Sequence, residues 1–520
     1  MYVIGSGPSG VSCAKALLDQ GATVTMLDAG RTLEPVYKSK LEQLKSTSHR
    51  DWDDDSLAFL KQGMAAETSG IPLKLSYGSN FPYDLGMFPD AAVGVLPSLA
   101  QGGLSNVWGA AILPCRPDDI RHWPISIDDI AEHYRAVLRF MPLAGRRDDL
   151  SRVLPLYTED PLELALSRQS VTFLDDLQKN RERLAEAGIS FGQSRLAVST
   201  KNENGQTCVY CGNCLYGCPY GLPYNSASTL EKLTQHPRFR YSPGVFVDSL
   251  SENANGVVIN AHDLSGTSMT LRSERAFLAA GVLSSTRLLL MAQERFDSPV
   301  MLKDSQYFLL PLMRYHSTAN TAKEELHTLS QAFIEILDRT LSERSIHLQI
   351  YSYNDLYWLA LKKMFGPAFP LLSWPLDYLV GRLLMIQGYL PSEHSSAVQM
   401  QVNNRQGKVQ TEVAPIINRN TRVMLGRVAE KLNQNRGALR AIAIKPFLRM
   451  GDPGRGYHVG GSFPMSANPG PHDSDILGRP TGFKRLHVVD ATVLPDIPST
   501  TITLTVMANA HRIGTMAAQS

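Results

Sequence analysis

The sequence predicts an α/β chain, α+β overall, on three observations. These are a strand, glycine turn and helix at the N-terminus, an acid closing the next strand, and two later strand-and-helix signals far down the chain. Tyr2-Val3-Ile4 is a short apolar run of strand type, followed by Gly5-Ser6-Gly7-Pro8-Ser9-Gly10 and then by Val11, Ala14, Leu17 and Leu18 at helical spacing. In such a unit the first glycine permits the tight turn and the second lets a pyrophosphate approach the backbone. The third lets the helix pack on the strand, with its N-terminus facing the anion. A second strand, Thr23 to Leu27, ends in Asp28, 23 residues after Gly5, where a carboxylate accepts hydrogen bonds from ribose hydroxyls. Gly5, Gly7, Gly10 and Asp28 therefore read as a dinucleotide site, and the motif does not separate FAD from NAD.

At 520 residues the chain is too long for one ordinary core. With 51 Lys and Arg against 49 Asp and Glu, and 43% apolar residues, it is globular, neither disordered nor a nucleic-acid binder. No repeat period points to a solenoid or propeller. Strand-like signals return at Phe277-Leu278-Ala279-Ala280-Gly281 and at Leu486-His487-Val488-Val489-Asp490, each followed by an apolar helical pattern, as further strands of the first sheet. The intervening segments, Arg146 to about Val198 and Phe296 to about Met450, carry amphipathic helices and an alternating strand, Ala397 to Val402, which suits a second domain. The expected division is a Rossmann-like dinucleotide-binding domain assembled from the discontinuous segments 1–145, 199–295 and 451–520, and a sheet-plus-helices substrate domain from 146–198 and 296–450. Asp51, Asp53, Asp54 and Asp55 read as a solvated turn. The N-terminus has no basic region, twin arginine or cleavage site, so the expected compartment is the reducing cytoplasm. The apolar stretch Met364 to Leu376, flanked by Tyr357-Trp358-Leu359 and Leu383 to Ile386, is too short to span a bilayer and carries Pro367, Pro370 and Pro375. It reads as a buried lining of the second domain, with peripheral contact at a membrane surface as the other reading.

Four of the six cysteines, Cys208, Cys211, Cys214 and Cys218, fall within eleven residues and are followed by Pro219. This C-x2-C-x2-C-x3-C-P spacing is that of a bacterial ferredoxin loop and leads to the expectation of a 4Fe-4S or 3Fe-4S iron–sulfur cluster. Zinc or another structural metal, and unliganded thiols, are the other readings. In two-cluster ferredoxins the fourth cysteine serves the other cluster. Here Cys218 either folds back onto the same cluster, or three ligands suffice, or Cys115 or Cys13 supplies a remote one.

Four matches make the chain resemble the glucose-methanol-choline family of FAD oxidoreductases from Met1 to Ile513, least between about Phe296 and Met450. The first is the glycine fingerprint with Leu27-Asp28-Ala29-Gly30, where relatives usually have Glu at the acid. The second, Gly102-Gly103-Leu104-Ser105-Asn106-Val107-Trp108-Gly109, is similar to the segment lying along the flavin, which implies cofactor roles for Gly102, Gly103, Ser105 and Asn106. The third, Gly456-Tyr457-His458-Val459-Gly460-Gly461-Ser462, looks like the segment bearing the family's catalytic histidine. The fourth, Val489-Asp490-Ala491-Thr492-Val493-Leu494-Pro495 through Ser499 to Ile513, is similar to the closing strand and helix beneath the flavin. The resemblance places Asp490 and Ala491 near the flavin diphosphate and ribityl chain and matches Val247 to the adenine-contacting strand. Trp108, His122-Trp123-Pro124-Ile125-Ser126 and His133-Tyr134 look most like the branch of sugar dehydrogenases and pyranose oxidases. Where some of those relatives carry a flavin-linking histidine this chain has Val107, so the resemblance implies non-covalent FAD.

Oxidising an alcohol requires a base for the hydroxyl proton while hydride leaves the adjacent carbon. His458 suits the proton step. The family's second active-site residue, usually His or Asn, falls at Thr501, which hydrogen-bonds but is no acid at neutral pH; its other reading is a cap on the last helix. The resulting expectation is an FAD-dependent dehydrogenase acting on an alcohol group of a sugar or glycan precursor, with electrons leaving through the cluster to an external acceptor, small molecule or protein. The alternatives are an oxidase of apolar long-chain or sterol alcohols, motivated by Met364 to Leu376, and a lyase or isomerase using FAD structurally, motivated by Thr501.

Overall fold

Strand β1 (Tyr2–Ile4) stops at Gly5, whose φ of +102° turns the chain into helix α1 (Pro8–Asp19). Gly5 still donates its N–H to the Leu27 carbonyl of β2 (Val24–Asp28) at 2.8 Å, so the turn stays pinned to the sheet. That sheet has five parallel strands in the order Leu486–Val488, β4 (Ala276–Leu278), β1, β2 and β3 (Phe239–Pro243). Both later signals, at Phe277 and Leu486, thus join the first sheet as its periodicity predicts. β4 and Leu486–Val488 are buried at every position, as strands covered on both faces must be. The closing helix α3 (Thr503–Gln519) lies against α1, where a Cβ at Gly514 would sit 3.0 Å from the Cys13 carbonyl. The computed structural model describes residues 1–62, 64–65, 73–74, 76–88, 93–200, 205, 207–356, 366, 373–406 and 408–519. Tyr357, Trp358 and Leu359, and the apolar stretch from Met364 to Leu372 apart from Gly366, lie outside the described residues.

The acidic patch is a helix start rather than a turn. Asp53 caps the helix Asp54–Lys61 by accepting from the Ser56 N–H at 2.8 Å, and Asp54 and Asp55 occupy its first turn, where the helix dipole favours negative charge.

A seven-stranded antiparallel sheet forms the other half of the structure. Its central strands are β5 (Tyr307–Arg314), β6 (Ala332–Ile336), β7 (Ile346–Tyr351) and β8 (Leu383–Tyr389), in the spatial order β5, β8, β7, β6. Because side chains alternate, the sheet has two characters. One face packs Phe308, Leu310, Ile334, Leu348 and Ile386 against Phe173 and Leu177 of the helix Arg168–Lys179 and Leu425 and Val428 of the helix Asn420–Gln434. The opposite face carries a row of directly paired polar and aromatic residues, Glu335 opposite His347, His347 opposite Tyr389, and Tyr389 opposite Tyr307. Among the described residues no helix is long and apolar enough to cross a membrane.

A four-stranded sheet joins these halves in the order Lys408–Ile416, Ala397–Arg405, Val300–Asp304 and Val459–Gly460. The alternation at Ala397 to Val402 is thus a strand, as its pattern predicts. Gly460 is required there, because a Cβ would meet the Ala491 carbonyl oxygen at 2.3 Å. Gly460→Ala is expected to lower unfolding stability by about 1–3 kcal/mol, the usual range for overpacking. Thermal unfolding followed by far-UV circular dichroism measures it.

Candidate functional site

A cavity of about 910 Å³ opens along the carboxyl ends of the parallel strands. Gly5, Ser6, Gly7, Asp28, Gly103, Leu104, Val247 and Gly281 line it, together with Tyr457 and Val459, the two neighbours of His458. The glycines divide the work. A Cβ at Gly5 would meet the Ala279 carbonyl oxygen at 2.4 Å, and one at Gly10 the Gly5 carbonyl oxygen at 1.9 Å, so both are demanded by packing. A Cβ at Gly7 or Gly281 would meet no protein atom within 4 Å, so these two leave open space at the helix starts. A phosphate chain needs that kind of backbone approach.

Asp28 closes β2 with its carboxylate in the cavity wall. The Ser6 hydroxyl and the Tyr241 hydroxyl, the latter at 2.9 Å, both donate to its Oδ2. Burial pushes this carboxyl up to about 6, against the pull of those two hydrogen bonds. Ser6 also accepts from the Gly102 N–H at 3.0 Å, which ties the second glycine segment to the fingerprint. Neither Ser6 nor Tyr241 was legible as a site residue. Ser6 sits in a variable position of the glycine pattern, and Tyr241 reaches Asp28 across 213 residues of sequence because β3 pairs with β2.

The 102–109 segment is brought to the cavity through Gly103 and Leu104 alone. Ser105 and Asn106 are engaged in holding the loop. The Ser105 hydroxyl donates to the Gly102 carbonyl at 2.6 Å and accepts from the Ser226 N–H at 3.0 Å. Asn106 donates to the Gly103 carbonyl at 2.6 Å, and its own side-chain oxygen accepts from Asn225 at 2.5 Å. Asp490 is likewise a backbone organiser. It is buried and accepts from the Gly281 N–H at 2.9 Å and the Ser285 hydroxyl at 2.5 Å, and so fixes the start of α2 (Val282–Ala292). The Ala491 carbonyl accepts from the Gly461 N–H at 2.9 Å, so this residue positions the histidine segment.

His458 precedes the strand Val459–Gly460, and its carbonyl accepts from the Ser305 N–H at 3.0 Å. Its half-buried ring lies 4.6 Å from that of Tyr389, centroid to centroid, at 31°. The ring's Nδ1 is buried without a hydrogen-bond partner. Burial, and then the charge of nearby His347, hold the imidazole down to about 3. Thr501 lies just ahead of α3 with its hydroxyl buried and unpartnered, so its side chain does not cap that helix. A pair missed in the sequence lies behind Tyr389: His347 Nδ1 and Glu335 Oε1 are 2.5 Å apart, both side chains fully buried. Its signal was present, since polar residues interrupt otherwise apolar strands at Phe333-Ile334-Glu335 and at His347-Leu348-Gln349.

The cysteine loop departs from the sequence expectation. Among the described residues, which include all six cysteines, no disulfide forms and no group of three or more His, Cys, Asp or Glu is gathered to hold a metal ion. The ligand set expected at Cys208, Cys211, Cys214 and Cys218 is therefore not supported among the described residues. The loop is shaped instead by distant backbone and hydroxyl contacts. Thr328 Oγ1 donates to the Gly212 carbonyl at 3.2 Å and accepts from the Leu215 N–H at 3.2 Å. Burial raises the thiols of Cys208, Cys211 and Cys218, to about 11 and about 12 for the last two, and the neighbouring Cys214 adds to the effect in each. Cys13, buried between α1 and α3, and Cys115, whose sulfur contacts Thr505 Oγ1 at 3.3 Å, supply no remote ligand.

Residues 411–510 match the family described as GMC oxidoreductase. Solved structures with the same overall fold include pyridoxine 4-oxidase from Mesorbium loti, at 13% identity and a TM-score of 0.58, covering 100% of this chain and 99% of that one. A formate oxidase matches at 12% identity and a TM-score of 0.58, covering 99% of this chain and 97% of that one. A variant of the formate oxidase of Aspergillus oryzae RIB40, solved to follow the effect of a mutation on FAD modification, matches at 14% identity and a TM-score of 0.58, with 99% and 97% covered. A search of curated protein sequences finds no match. The structural likenesses establish the fold, an α/β architecture with a parallel nucleotide-type sheet.

With no metal-holding group found among the described residues, anaerobically purified protein is expected to contain far less than one iron and no acid-labile sulfide per chain. Metal analysis by mass spectrometry with a sulfide assay measures this, and stoichiometric iron and sulfide would reinstate the cluster.

Proposed function

We infer that the protein is an FAD-dependent oxidoreductase that oxidises a CH–OH group, with His458 as the base. One observation carries this reading: a single cavity is lined by the nucleotide fingerprint and by both neighbours of His458. The match of residues 411–510 to GMC oxidoreductases supports the same class. FAD bound in this cleft supplies the hydride acceptor. The residues present suit it: open space at Gly7 and Gly281 for the diphosphate, helix N-termini facing that space, and a carboxylate at Asp28 for ribose hydroxyls. The proposal assigns the segments 1–145, 199–295 and 451–520 to the cofactor half and 146–198 and 296–450 to the substrate half. It is supported by the sheets, since the parallel one draws its strands from the first group and the seven-stranded one from the second.

His458 meets the first requirement of a base, which is to be unprotonated at working pH, since its imidazole is held down to about 3. Its Nδ1 has no competing partner. So weak a base takes the hydroxyl proton favourably only as hydride leaves the neighbouring carbon, so the two transfers are coupled. Thr501 offers a hydroxyl that can donate to or accept from the substrate oxygen without itself changing charge.

The proposed substrate class is an alcohol of sugar type. Support comes from the wall behind His458, where Tyr389 accepts from Gln387 at 2.7 Å and Tyr351 donates to Gln349 at 3.1 Å, an arrangement of rings and amides that suits a polyhydroxylated molecule. Electron exit through an iron–sulfur cluster forms no part of this reading. Peroxide released on turnover in air distinguishes an oxidase, the activity named for both structural neighbours, from a dehydrogenase using another acceptor.

His458→Asn is expected to lower the rate of anaerobic flavin reduction by a reactive alcohol by about 10²–10⁴, the usual worth of a positioned general base. FAD retention should be unchanged. Stopped-flow absorbance measures the rate, and reduction at the parent rate would remove His458 from the mechanism.

A further inference from the structure

Glu335 and His347 are both fully buried, on a sheet face whose other members surround His458. An acid and an imidazole so placed lose hydration that only their mutual contact and further hydrogen bonds restore. The contact is made, at 2.5 Å, but His347 Nε2 and Glu335 Oε2 are both buried and have no hydrogen-bond partner. The pair is therefore only half satisfied by the protein, an expensive arrangement for a merely structural feature.

Geometry supplies its second property. His347 faces Tyr389 across the strands with ring centroids 6.2 Å apart at 20°, and Tyr389 in turn contacts His458 at 4.6 Å. Gly456 lies against this stack, its Cα side within ordinary packing distance of Tyr307 and Tyr389.

We propose that Glu335 and His347 are positioning residues for His458: they keep one proton between them, one ring removed from the base, so that His458 meets the substrate hydroxyl as a neutral imidazole. This rests on the reading of His458 as the base. A net-neutral pair, with one proton shared, avoids an isolated charge in the core. It also places a hydrogen on His347 Nε2 and a share of positive charge on that ring, which opposes protonation of His458; the proton affinity of His458 is indeed lowered by His347 after burial. The other ionisable groups acting here are identified. Burial raises the Glu335 carboxyl, His347 opposes that, and Asp119 and Arg116 act on it more weakly. Arg195 is coupled to Glu335 as well. Tyr389 is held well above the ordinary tyrosine value by burial, with Tyr351, Tyr307 and Asp304 adding to the effect, so it stays a neutral spacer.

The sign follows. Removing the acid releases the proton that His347 carried, and the charge opposing protonation of His458 disappears. The His458 midpoint then rises. The same holds for loss of His347 itself, while any structural damage would lower stability without moving a midpoint.

The test uses the full-length FAD-bound protein labelled with [13Cε1]histidine, the His458 resonance being assigned by its loss in His458→Asn. In the parent protein, titrated from pH 8 down to about pH 3, this resonance is expected to hold its neutral-form position until about pH 4. In Glu335→Gln and in His347→Gln its midpoint is expected to move up by at least about one unit, and the acid limb of flavin reduction should move with it at unchanged KM. Glu335→Asp, which keeps the charge, should restore much of the parent profile, and it serves as the readout if Glu335→Gln does not fold. Unmoved His458 titration in both Gln variants overturns the proposal. Failure of the underlying reading looks different: His458→Asn would then reduce flavin at the parent rate whatever the titrations show.

Discussion

Two backbone rungs hold the proposed chemistry in place: Asp304 opposite Val459 and Lys303 opposite Gly460. They are the only strand pairing between the chain's closing segment and the strands that follow residue 296, among the described residues. Everything around His458 depends on that register. Shifting it by one residue would turn Val459 out of the cavity wall and carry the imidazole off Tyr389, because side chains alternate along a strand. The register is enforced from the other side by Gly460 and Gly461, where a Cβ would meet the Ala491 carbonyl oxygen at 2.3 Å and the Leu494 carbonyl oxygen at 2.8 Å. Asp304 contributes a further lock. Its Oδ2 accepts from the Gly454 N–H at 2.7 Å, and burial pushes its carboxyl up to about 7, so it sits in the core with little cost from charge.

How much of this was legible depends on whether the physical requirement was local. The glycine fingerprint was readable because each glycine answers a need within a few residues: a turn at Gly5, a helix–strand approach at Gly10, open space at Gly7. The histidine segment was readable for the same reason, its small residues crowding against Ala491. The partners of Asp28 were not, since Ser6 hides in a variable position and Tyr241 arrives through a parallel pairing that no local pattern encodes. Ser105, Asn106 and Asp490, expected at the cofactor, brace loops and a helix start in the structure, a role that short-range motifs cannot distinguish from ligand contact. The cysteine run shows the limit most clearly. Spacing specifies where thiols fall along the chain, but the loop that carries them is shaped by contacts from Leu326 and Thr328, more than a hundred residues away.

The two faces of the seven-stranded sheet differ in where their buried polar groups fall. The face toward the helices is closed mainly by aliphatic packing, with Arg314 at the end of β5 buried against Phe173 and paired with Asp176. The opposite face, which meets His458 through Tyr389, presents Glu335, His347, Gln349, Tyr351 and Tyr389 in alternating positions. An apolar version of that row would stabilise the fold as well or better, because buried ion pairs seldom outperform well-packed hydrophobic side chains. Retaining it therefore costs stability, and the cost falls on the strands nearest the histidine.

The position of Thr501 sharpens this point. A titratable residue at the start of the last helix would let the closing segment supply both proton-handling groups from one stretch of chain. Here that place holds a hydroxyl whose charge does not change with pH and which finds no partner in the protein. The ionisable groups that surround His458 instead come from the sheet: Glu335 and His347 through Tyr389, and Asp304 through the shared strand pairing. The electrostatics of the base are thereby set by strands outside the closing segment, to which that segment is tied by the two rungs, the Gly454–Asp304 hydrogen bond, the Arg344–Asp496 ion pair and the Tyr389–His458 ring contact. Motion of one half of the molecule against the other would change the proton affinity of His458 before it changed any covalent geometry, because charge acts over distances at which packing contacts have already been lost.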